Sequence, residues 1–199
     1  MMISGIFKPM VTRFITPVAR WALRLGITPN AVTLVGAVGV VCSALFFYPR
    51  GDFFLGSALV FIFALSDLFD GTMARLSKSG SSRWGGFLDS TIDRITDSAI
   101  LIGVAIYLIE RRDTLSAVIL IALVTGMLIP YIRAKAESMN ISCSVGIAER
   151  TERLAISMSA LAVHGLGVPY VLAVGMWLLA TLGCITVIQR MVTVKKALA

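Results

Sequence analysis

Long apolar runs separated by short polar links make up most of the chain. The stretches AVTLVGAVGVVCSALFFY (31–48) and PYVLAVGMWLLATLGCITVI (169–188) contain no charged residue, and each is long enough to cross a hydrocarbon core of roughly 30 Å as a helix. Helices are expected because backbone polar groups in lipid must be satisfied within each segment. The pattern predicts six transmembrane helices, at about 31–48, 53–76, 86–109, 114–136, 152–168 and 169–189.

A further helix is predicted before the first span, within residues 1–25. Apolar residues recur there at threes and fours, with the basic residues largely elsewhere, a pattern typical of a helix in the headgroup layer. A loosely ordered basic tail is the alternative. Because the links within 31–189 are short, we expect an all-α integral membrane protein. It would form a single domain of residues 1–199, with six transmembrane helices in one bundle plus an N-terminal interfacial amphipathic helix.

Charge placement predicts the orientation of these helices. The sequence is 57% hydrophobic, with 18 Lys and Arg against 11 Asp and Glu, giving a net charge of +7. In the six-span scheme fifteen basic residues fall on one side, and only Arg50, Arg111 and Arg112 fall on the other. Lys and Arg accumulate in cytoplasmic links, so both termini are predicted to lie in the cytoplasm, with the protein in the cell membrane. A basic patch with interleaved aromatic residues on a soluble fold is missing, so nucleic-acid binding is not indicated.

Aspartates are concentrated near the cytoplasmic ends of the second and third spans. Asp67 and Asp70 are three residues apart, and Asp89 and Asp93 are four apart, so each pair lies on one helix face. Ionisable residues at membrane depth usually have a partner and a function. Carboxylate oxygens suit Mg²⁺ or Mn²⁺, and two such ions could stabilise charge developing on a diphosphate. The alternative, helix caps or pairs with Arg75, Arg83 and Arg94, accounts for two or three acids at most.

The residues after Asp70 fit a phosphate ligand. Gly71 and Ala74 leave space for a ligand near the backbone, and Arg75 adds a guanidinium that can pair with phosphate. A small cation transporter would also gather carboxylates, but it has no need of such an arginine. Asp97 lies one turn beyond Asp93, and we expect it to pair with Arg94 or with another helix; a supporting role in the site is the alternative.

This stretch resembles the signature of the CDP-alcohol phosphatidyltransferases, D-x-x-D-G-x-x-A-R followed by G-x-x-x-D-x-x-x-D. The matching residues are Asp67, Asp70, Gly71, Ala74, Arg75, Gly85, Asp89 and Asp93. Nine residues separate Arg75 from Gly85, where the family usually has eight, and the additional residue falls in the polar link.

The resemblance implies an enzyme that displaces CMP from a CDP-linked lipid with an alcohol, and it also implies a homodimer. Asp67, Asp70 and Asp89 would hold metal ions, with Asp93 also near the second ion. Asp93 would be the general base that accepts the proton of the acceptor hydroxyl. The implied contacts to the CDP-lipid are made by Asn30, Ala31, Val32, Thr33, Gly71, Ala74, Arg75 and Ser82.

The acceptor should be recognised by other basic residues of the cytoplasmic face. Arginines and lysines there could bind a phosphorylated alcohol through charge-assisted hydrogen bonds, although some serve only topology. YIRAKAE (131–137) followed by ERTER (149–153) is similar to the actinobacterial phosphatidylinositol phosphate synthases, which use inositol phosphate. Their pattern implies Arg133, Arg153 and Arg190 as phosphate ligands, with weaker candidates in Lys135 and Arg150. Transfer to glycerol 3-phosphate, as in phosphatidylglycerophosphate synthases, is the alternative within the family.

Overall fold

The computed structural model describes residues 15–77 and 82–198, and the regular secondary structure in these ranges is helical. Residues 15–24 belong to helix α1. The helices that follow are α2 (Pro29–Phe47), α3 (Phe53–Ala64), α4 (Ser66–Leu76), α5 (Arg83–Glu110), α6 (Leu115–Glu137), α7 (Arg150–Gly165) and α8 (Val171–Leu198). The prediction of an all-helical chain is confirmed.

Within residues 15–77 and 82–198, four helical segments are long and apolar enough to cross a membrane. They are Pro29–Phe47, Phe53–Leu76, Leu115–Glu137 and Val171–Leu198. Helix α5 has the length, but Asp89, Asp93, Arg94 and Asp97 lie within its first 15 residues, and α7 has only 16 residues. The membrane class is therefore confirmed at the level of four candidate spans, and the full set of six stays a prediction. Of the predicted N-terminal helix, residues 1–14 lie outside the described ranges.

The largest differences between the helices and the predicted spans occur in two places. The predicted span 53–76 is divided at Leu65, where the Leu68 N–H donates to the Leu65 carbonyl three residues back and tightens the turn. Helix α8 continues to Leu198, nine residues beyond the predicted end at 189. The predicted end lies where the apolar run gives way to charged residues. Lys195 and Lys196 in the last turn do not end the helix, because positive side chains are favourable at the negative end of the helix dipole.

The chain divides into two compact units. The first comprises Met1–Cys42 and Leu59–Thr96, and the second comprises Ser43–Ala58 and Asp97–Ala199, each taken over its described residues. In the first unit α2 packs closely against the end of α3 and the start of α4. A Cβ added at Gly36 would lie 1.8 Å from Ser66 Oγ, and one at Gly39 would lie 2.2 Å from the Phe63 ring. Such small residues allow helix backbones to approach closely in membranes.

The second unit packs α6 and α7 against α8. Glycines of α8 again allow the helices to pack closely. A Cβ at Gly183 would lie 2.4 Å from Thr125 Oγ1 of α6, and one at Gly175 would lie 2.4 Å from the Ala160 methyl group of α7. At the other end of this unit His164 packs its ring against Phe53. The interpretation of residues 1–199 as one domain stays a prediction.

Candidate functional site

Two helix N-termini of the first unit are capped by hydroxyl groups. Thr28 Oγ1 accepts a hydrogen bond from the Ala31 N–H at 3.2 Å, at the start of α2. Ser82 Oγ accepts one from the Gly85 N–H at 2.9 Å, at the start of α5. Each cap satisfies a backbone donor that the helix leaves without an intrahelical partner. Both capped ends face one cavity.

This cavity has a volume of about 610 Å³ and lies within the first unit. We call it the aspartate cavity because three of the four predicted acids, Asp67, Asp70 and Asp89, line it. The other lining residues are Leu23, Gly26, Ile27, Thr28, Pro29, Asn30, Thr33, Gly71, Ala74, Ser77, Ser82, Gly85 and Gly86. Helices α2, α4 and α5 therefore each contribute polar groups to one concave site.

Asp70 is fixed to the neighbouring helix by a side-chain hydrogen bond. The hydroxyl of Thr33 on α2 donates to Asp70 Oδ2, and the same hydroxyl lies 3.1 Å from the Pro29 carbonyl oxygen. Both residues are only 7% exposed. A hydrogen bond to an ionised carboxylate is stronger than one between neutral groups. Thr33 thus holds the most buried acid of the cavity in one orientation.

Helix α4 also positions Arg75. Its Nη2 donates to Thr72 Oγ1 at 3.0 Å, and the Thr72 hydroxyl donates to the Leu68 carbonyl at 2.8 Å. A Cβ added at Gly71 would meet only Arg75 Nη1, at 4.0 Å. The missing side chain at Gly71 consequently leaves the cavity wall open beside a guanidinium.

The start of α5 lies close to the start of α2. A Cβ added at Gly85 would be 3.1 Å from Ser82 Oγ and 3.3 Å from Asn30 Oδ1, closer than most real Cβ contacts. Gly85 therefore allows Asn30 and the capped turn of α5 to come together at the cavity.

The cavity collects most of the residues predicted from the family signature. Five of the residues expected at the CDP-lipid line it: Asn30, Thr33, Gly71, Ala74 and Ser82. Among the described residues, the lining does not include Ala31, Val32, Arg75 or Asp93. The side chain of Asp93 is 14% exposed, with Oδ2 lying 3.6 Å from Arg94 Nη2.

Several lining residues were missed from the sequence. Leu23 lies at the end of α1, Gly26 and Ile27 belong to the turn that follows, Pro29 begins α2, and Gly86 follows the signature glycine. Residues 26–29 immediately precede Asn30, which the family resemblance assigns to the CDP-lipid, and that proximity is the signal that could have placed them at the site.

The donor chemistry of the cavity fits a divalent cation. Asp67, Asp70 and Asp89 supply carboxylate oxygens, which hard cations such as Mg²⁺ and Mn²⁺ prefer. Within residues 15–77 and 82–198, no three His, Cys, Asp or Glu side chains are yet gathered closely enough to hold an ion. The residue types and their shared cavity fit a divalent metal ion, although the three carboxylates are not close enough together in this conformation to coordinate one jointly.

The predicted acceptor arginines lie in the second unit, where Asp97 joins two of the candidates. Asp97 Oδ1 lies 3.4 Å from Arg150 Nε, and Oδ2 lies 3.8 Å from Arg153 Nη2. Arg153 Nη1 also donates to the Ala148 carbonyl at 3.0 Å. The prediction that Asp97 pairs with another helix is confirmed, since both arginines belong to the first turn of α7.

The remaining candidates are placed differently. Arg190 is 4% exposed, and its guanidinium donates to the carbonyls of Val145, at 2.9 Å, and Ile129. Arg133 is half-exposed and pairs with Glu137 at 2.8 Å on the same helix. Lys135 lines a separate groove of about 560 Å³ together with Lys195 and apolar residues at the ends of α6 and α8.

Comparison with known proteins extends over nearly the whole chain. A family model described as CDP-alcohol phosphatidyltransferase matches residues 26–192. The phosphatidylinositol phosphate synthase of Streptomyces avermitilis is 41% identical over 204 residues, which cover 98% of this chain and 83% of that protein. The phosphatidylinositol phosphate synthase of Mycobacterium tuberculosis strain H37Rv is 42% identical over 189 residues, covering 92% of this chain and 86% of that protein.

Solved structures of the Mycobacterium tuberculosis phosphatidylinositol phosphate synthase are also similar. The crystal structure with CDP-DAG bound has a TM-score of 0.87 at 42% identity, covering 92% of this chain and 94% of that chain. The crystal structure in complex with manganese and citrate has a TM-score of 0.85 at 40% identity, covering 91% and 88%.

Proposed function

The chain belongs to the CDP-alcohol phosphatidyltransferase family, and on that premise we propose that it transfers a phosphatidyl group from CDP-diacylglycerol to inositol phosphate, giving phosphatidylinositol phosphate and CMP. The observation that carries the choice of acceptor is the 41–42% identity, over at least 92% of the chain, to proteins named phosphatidylinositol phosphate synthase. Membership in a transferase family favours an enzyme over the cation transporter considered above.

In the proposed reaction the acceptor hydroxyl oxygen attacks the phosphorus that carries diacylglycerol. The bond from that phosphorus to the oxygen it shares with CMP breaks, and CMP leaves with that oxygen. Asp93 would accept the hydroxyl proton, because an alcohol is a poor nucleophile until a positioned base takes its proton.

Residues of the aspartate cavity would bind the CDP-lipid and its metal. Asp67, Asp70 and Asp89 would hold Mg²⁺ or Mn²⁺, as two ions with Asp93 beside the second. When bound, such ions supply positive charge that stabilises a diphosphate as it is cleaved. The proposed contacts to the CDP group are made by Asn30, Ala31, Val32, Thr33, Gly71, Ala74, Arg75 and Ser82.

On the acceptor side, Arg133, Arg153 and Arg190 would bind the phosphate of the alcohol, with smaller contributions from Lys135 and Arg150. The ion pairs around Asp97 support Arg153 in particular, because they hold its guanidinium in place. Arginine suits this task since its planar group can bind phosphate through two parallel hydrogen bonds.

Finer features of the architecture belong to the same proposal. We propose six spans in one domain with an interfacial helix at the N-terminus, both termini and the active site on the cytoplasmic side of the cell membrane, and a homodimer. The fifteen-to-three distribution of basic residues supports the orientation. The family resemblance is the support for the dimer.

An assay of CMP release with several candidate acceptors tests the proposed function directly. Purified protein in detergent is given CDP-diacylglycerol and Mg²⁺ or Mn²⁺, with inositol phosphate, glycerol 3-phosphate, unphosphorylated inositol or no acceptor. We expect release of CMP only with inositol phosphate. The Asp93→Asn variant, whose amide cannot take up the proton, serves as the inactive control. Release with glycerol 3-phosphate and none with inositol phosphate would overturn the proposed acceptor.

A further inference from the structure

Asp97 stands outside the family signature, yet it contacts two arginines of another helix. It follows Asp93 by four residues on α5, and its two carboxylate oxygens reach different guanidiniums, those of Arg150 and Arg153. Arg150 and Arg153 are three residues apart in the first turn of α7, so they lie on the same face of that helix. One carboxylate thus sits between two cations.

The position of the two arginines is unfavourable for α7 itself. The first turn of a helix carries a partial positive charge, which disfavours cationic side chains, and two guanidiniums that share one carboxylate also repel each other. Glu149 and Glu152 of the same segment are exposed. Asp97 places a carboxylate beside both guanidiniums, and an anionic ligand near them would be favoured by the same attraction of opposite charges.

Arg153 also donates a hydrogen bond to a backbone carbonyl. Its Nη1 donates to the Ala148 carbonyl at 3.0 Å, and the Ala148 N–H donates to Thr186 Oγ1 at 3.2 Å. Ala148 and Thr186 are completely buried, and the Arg153 side chain is 12% exposed. The guanidinium is therefore fixed between a carboxylate and a carbonyl that is itself anchored to α8.

We propose that Asp97 is a positioning residue for the acceptor: it orients Arg153, and with it Arg150, toward the phosphate group of a phosphorylated alcohol. This inference rests on the function proposed above, because it assigns the arginines to the acceptor. A guanidinium held in its binding orientation before the ligand arrives loses less conformational freedom on binding, which lowers the acceptor KM without changing the affinity for the CDP-lipid.

The test compares Asp97→Asn with Asp52→Asn, which removes an exposed aspartate from the same unit. Kinetic constants are measured from CMP release while inositol phosphate and CDP-diacylglycerol are varied separately. We expect Asp97→Asn to raise the acceptor KM about tenfold, as for the loss of one charge-assisted contact. The CDP-diacylglycerol KM and kcat should stay within about twofold of the unmodified protein, and Asp52→Asn should change nothing.

Two further variants separate positioning from a general structural role. Asp97→Glu keeps the charge and should raise the acceptor KM by less, about threefold. In the double variant, adding Asp97→Asn to Arg153→Ala should change the acceptor KM little further. The effects of substituting two residues that act through the same contact are not additive. Melting temperatures in detergent identify any variant that fails to fold. If Asp97→Asn does not fold, the acceptor KM of Asp97→Glu alone tests the positioning role.

The outcomes distinguish this inference from the proposed function. Absence of CMP release with inositol phosphate in the unmodified protein would refute the function. Release by the unmodified protein, together with equal KM changes for both substrates or an unchanged acceptor KM in both Asp97 variants, would refute the positioning role alone.

Discussion

Thr33 shows how a single hydroxyl can connect two helices of the site. It lies in the first turns of α2, and it donates to the carboxylate of Asp70 on α4. The family resemblance implied a contact between Thr33 and the CDP-lipid. The structure adds a second task, since a hydroxyl that orients a proposed metal ligand influences the metal site without touching the ion.

Replacing Thr33 with valine should weaken metal binding. Valine keeps the shape of the side chain but cannot donate to Asp70, and loss of such an orienting partner typically costs about 10- to 100-fold in metal affinity. We expect the Mn²⁺ concentration for half-maximal CMP release to rise at least about tenfold. The increase in melting temperature on addition of Mn²⁺ should shrink in parallel, which provides a measurement that does not depend on turnover.

Thr33→Ser is the matched control for this prediction. Serine retains the hydroxyl and should keep the metal requirement of the unmodified protein within about threefold. A valine variant that needs no more Mn²⁺ than the serine variant would show that the hydrogen bond to Asp70 does not support the metal.

Sequence reasoning succeeds for residues whose partners are close along the chain and fails for distant ones. Asp67 and Asp70 are three residues apart and share a helix face, and the short polar link between the two predicted spans brings Asp89 near them. The Asp97 carboxylate meets a residue 53 positions away, and the Arg190 guanidinium meets a carbonyl 61 positions away. Those contacts depend on how the 138–149 segment and α8 pack in three dimensions, and local spacing along the chain does not predict that packing.

At the scale of helices, glycine determines how closely α2 can approach α4. A Cβ at Gly36 would lie 1.8 Å from Ser66 Oγ, 2.5 Å from Ser66 Cβ and 3.0 Å from the Phe63 carbonyl oxygen. The hydroxyl can rotate away, but Ser66 Cβ and the carbonyl cannot move without shifting a helix. Because Thr33 and Asp70 belong to this helix pair, the close approach is a condition for their hydrogen bond.

Gly36→Ala should therefore destabilise the protein. Inserting a methyl group into a well-packed contact costs about 1–3 kcal/mol, so the melting temperature in detergent should fall by several degrees. Gly126→Ala is the matched control, since Gly126 lies in candidate span α6 and an added Cβ there meets no atom within 4 Å. That control should be neutral or slightly stabilising, as alanine favours helices over glycine. Equal melting temperatures for the two variants would contradict the packing argument.

The elements themselves could be predicted where hydrophobicity alone decides them. Helices α2, α6 and α8 correspond to the longest uncharged runs and were placed within a few residues at their N-terminal ends. The division between α3 and α4 and the extension of α8 to Leu198 could not be predicted. A span describes the part of a helix within the lipid, whereas hydrogen bonding decides where the helix ends.

For the whole molecule, the distribution of basic residues predicts which side of the membrane each link occupies. In the proposed six-span topology the link at 111–114 lies on the side with few basic residues, and the 138–149 segment lies on the side with many. In the part of the chain that the structure describes, four helical segments satisfy the requirements for a span by length and composition. Orientation depends on basic residues in the links, and it can be tested without assuming any enzymatic activity.

Labelling of single cysteines tests the orientation. Cys42, Cys143 and Cys184 are free thiols and are first replaced by alanine. Arg111→Cys and Ser144→Cys, both at exposed positions, are then introduced one at a time. A membrane-impermeant maleimide added to intact cells should label position 111 and should label position 144 only after permeabilisation. The cysteine-free protein gives the background. Position 144 lies between Arg133 and Lys135 on one flank and Arg150 and Arg153 on the other. Labelling of position 144 in intact cells would therefore overturn the proposed topology, and with it the cytoplasmic active site.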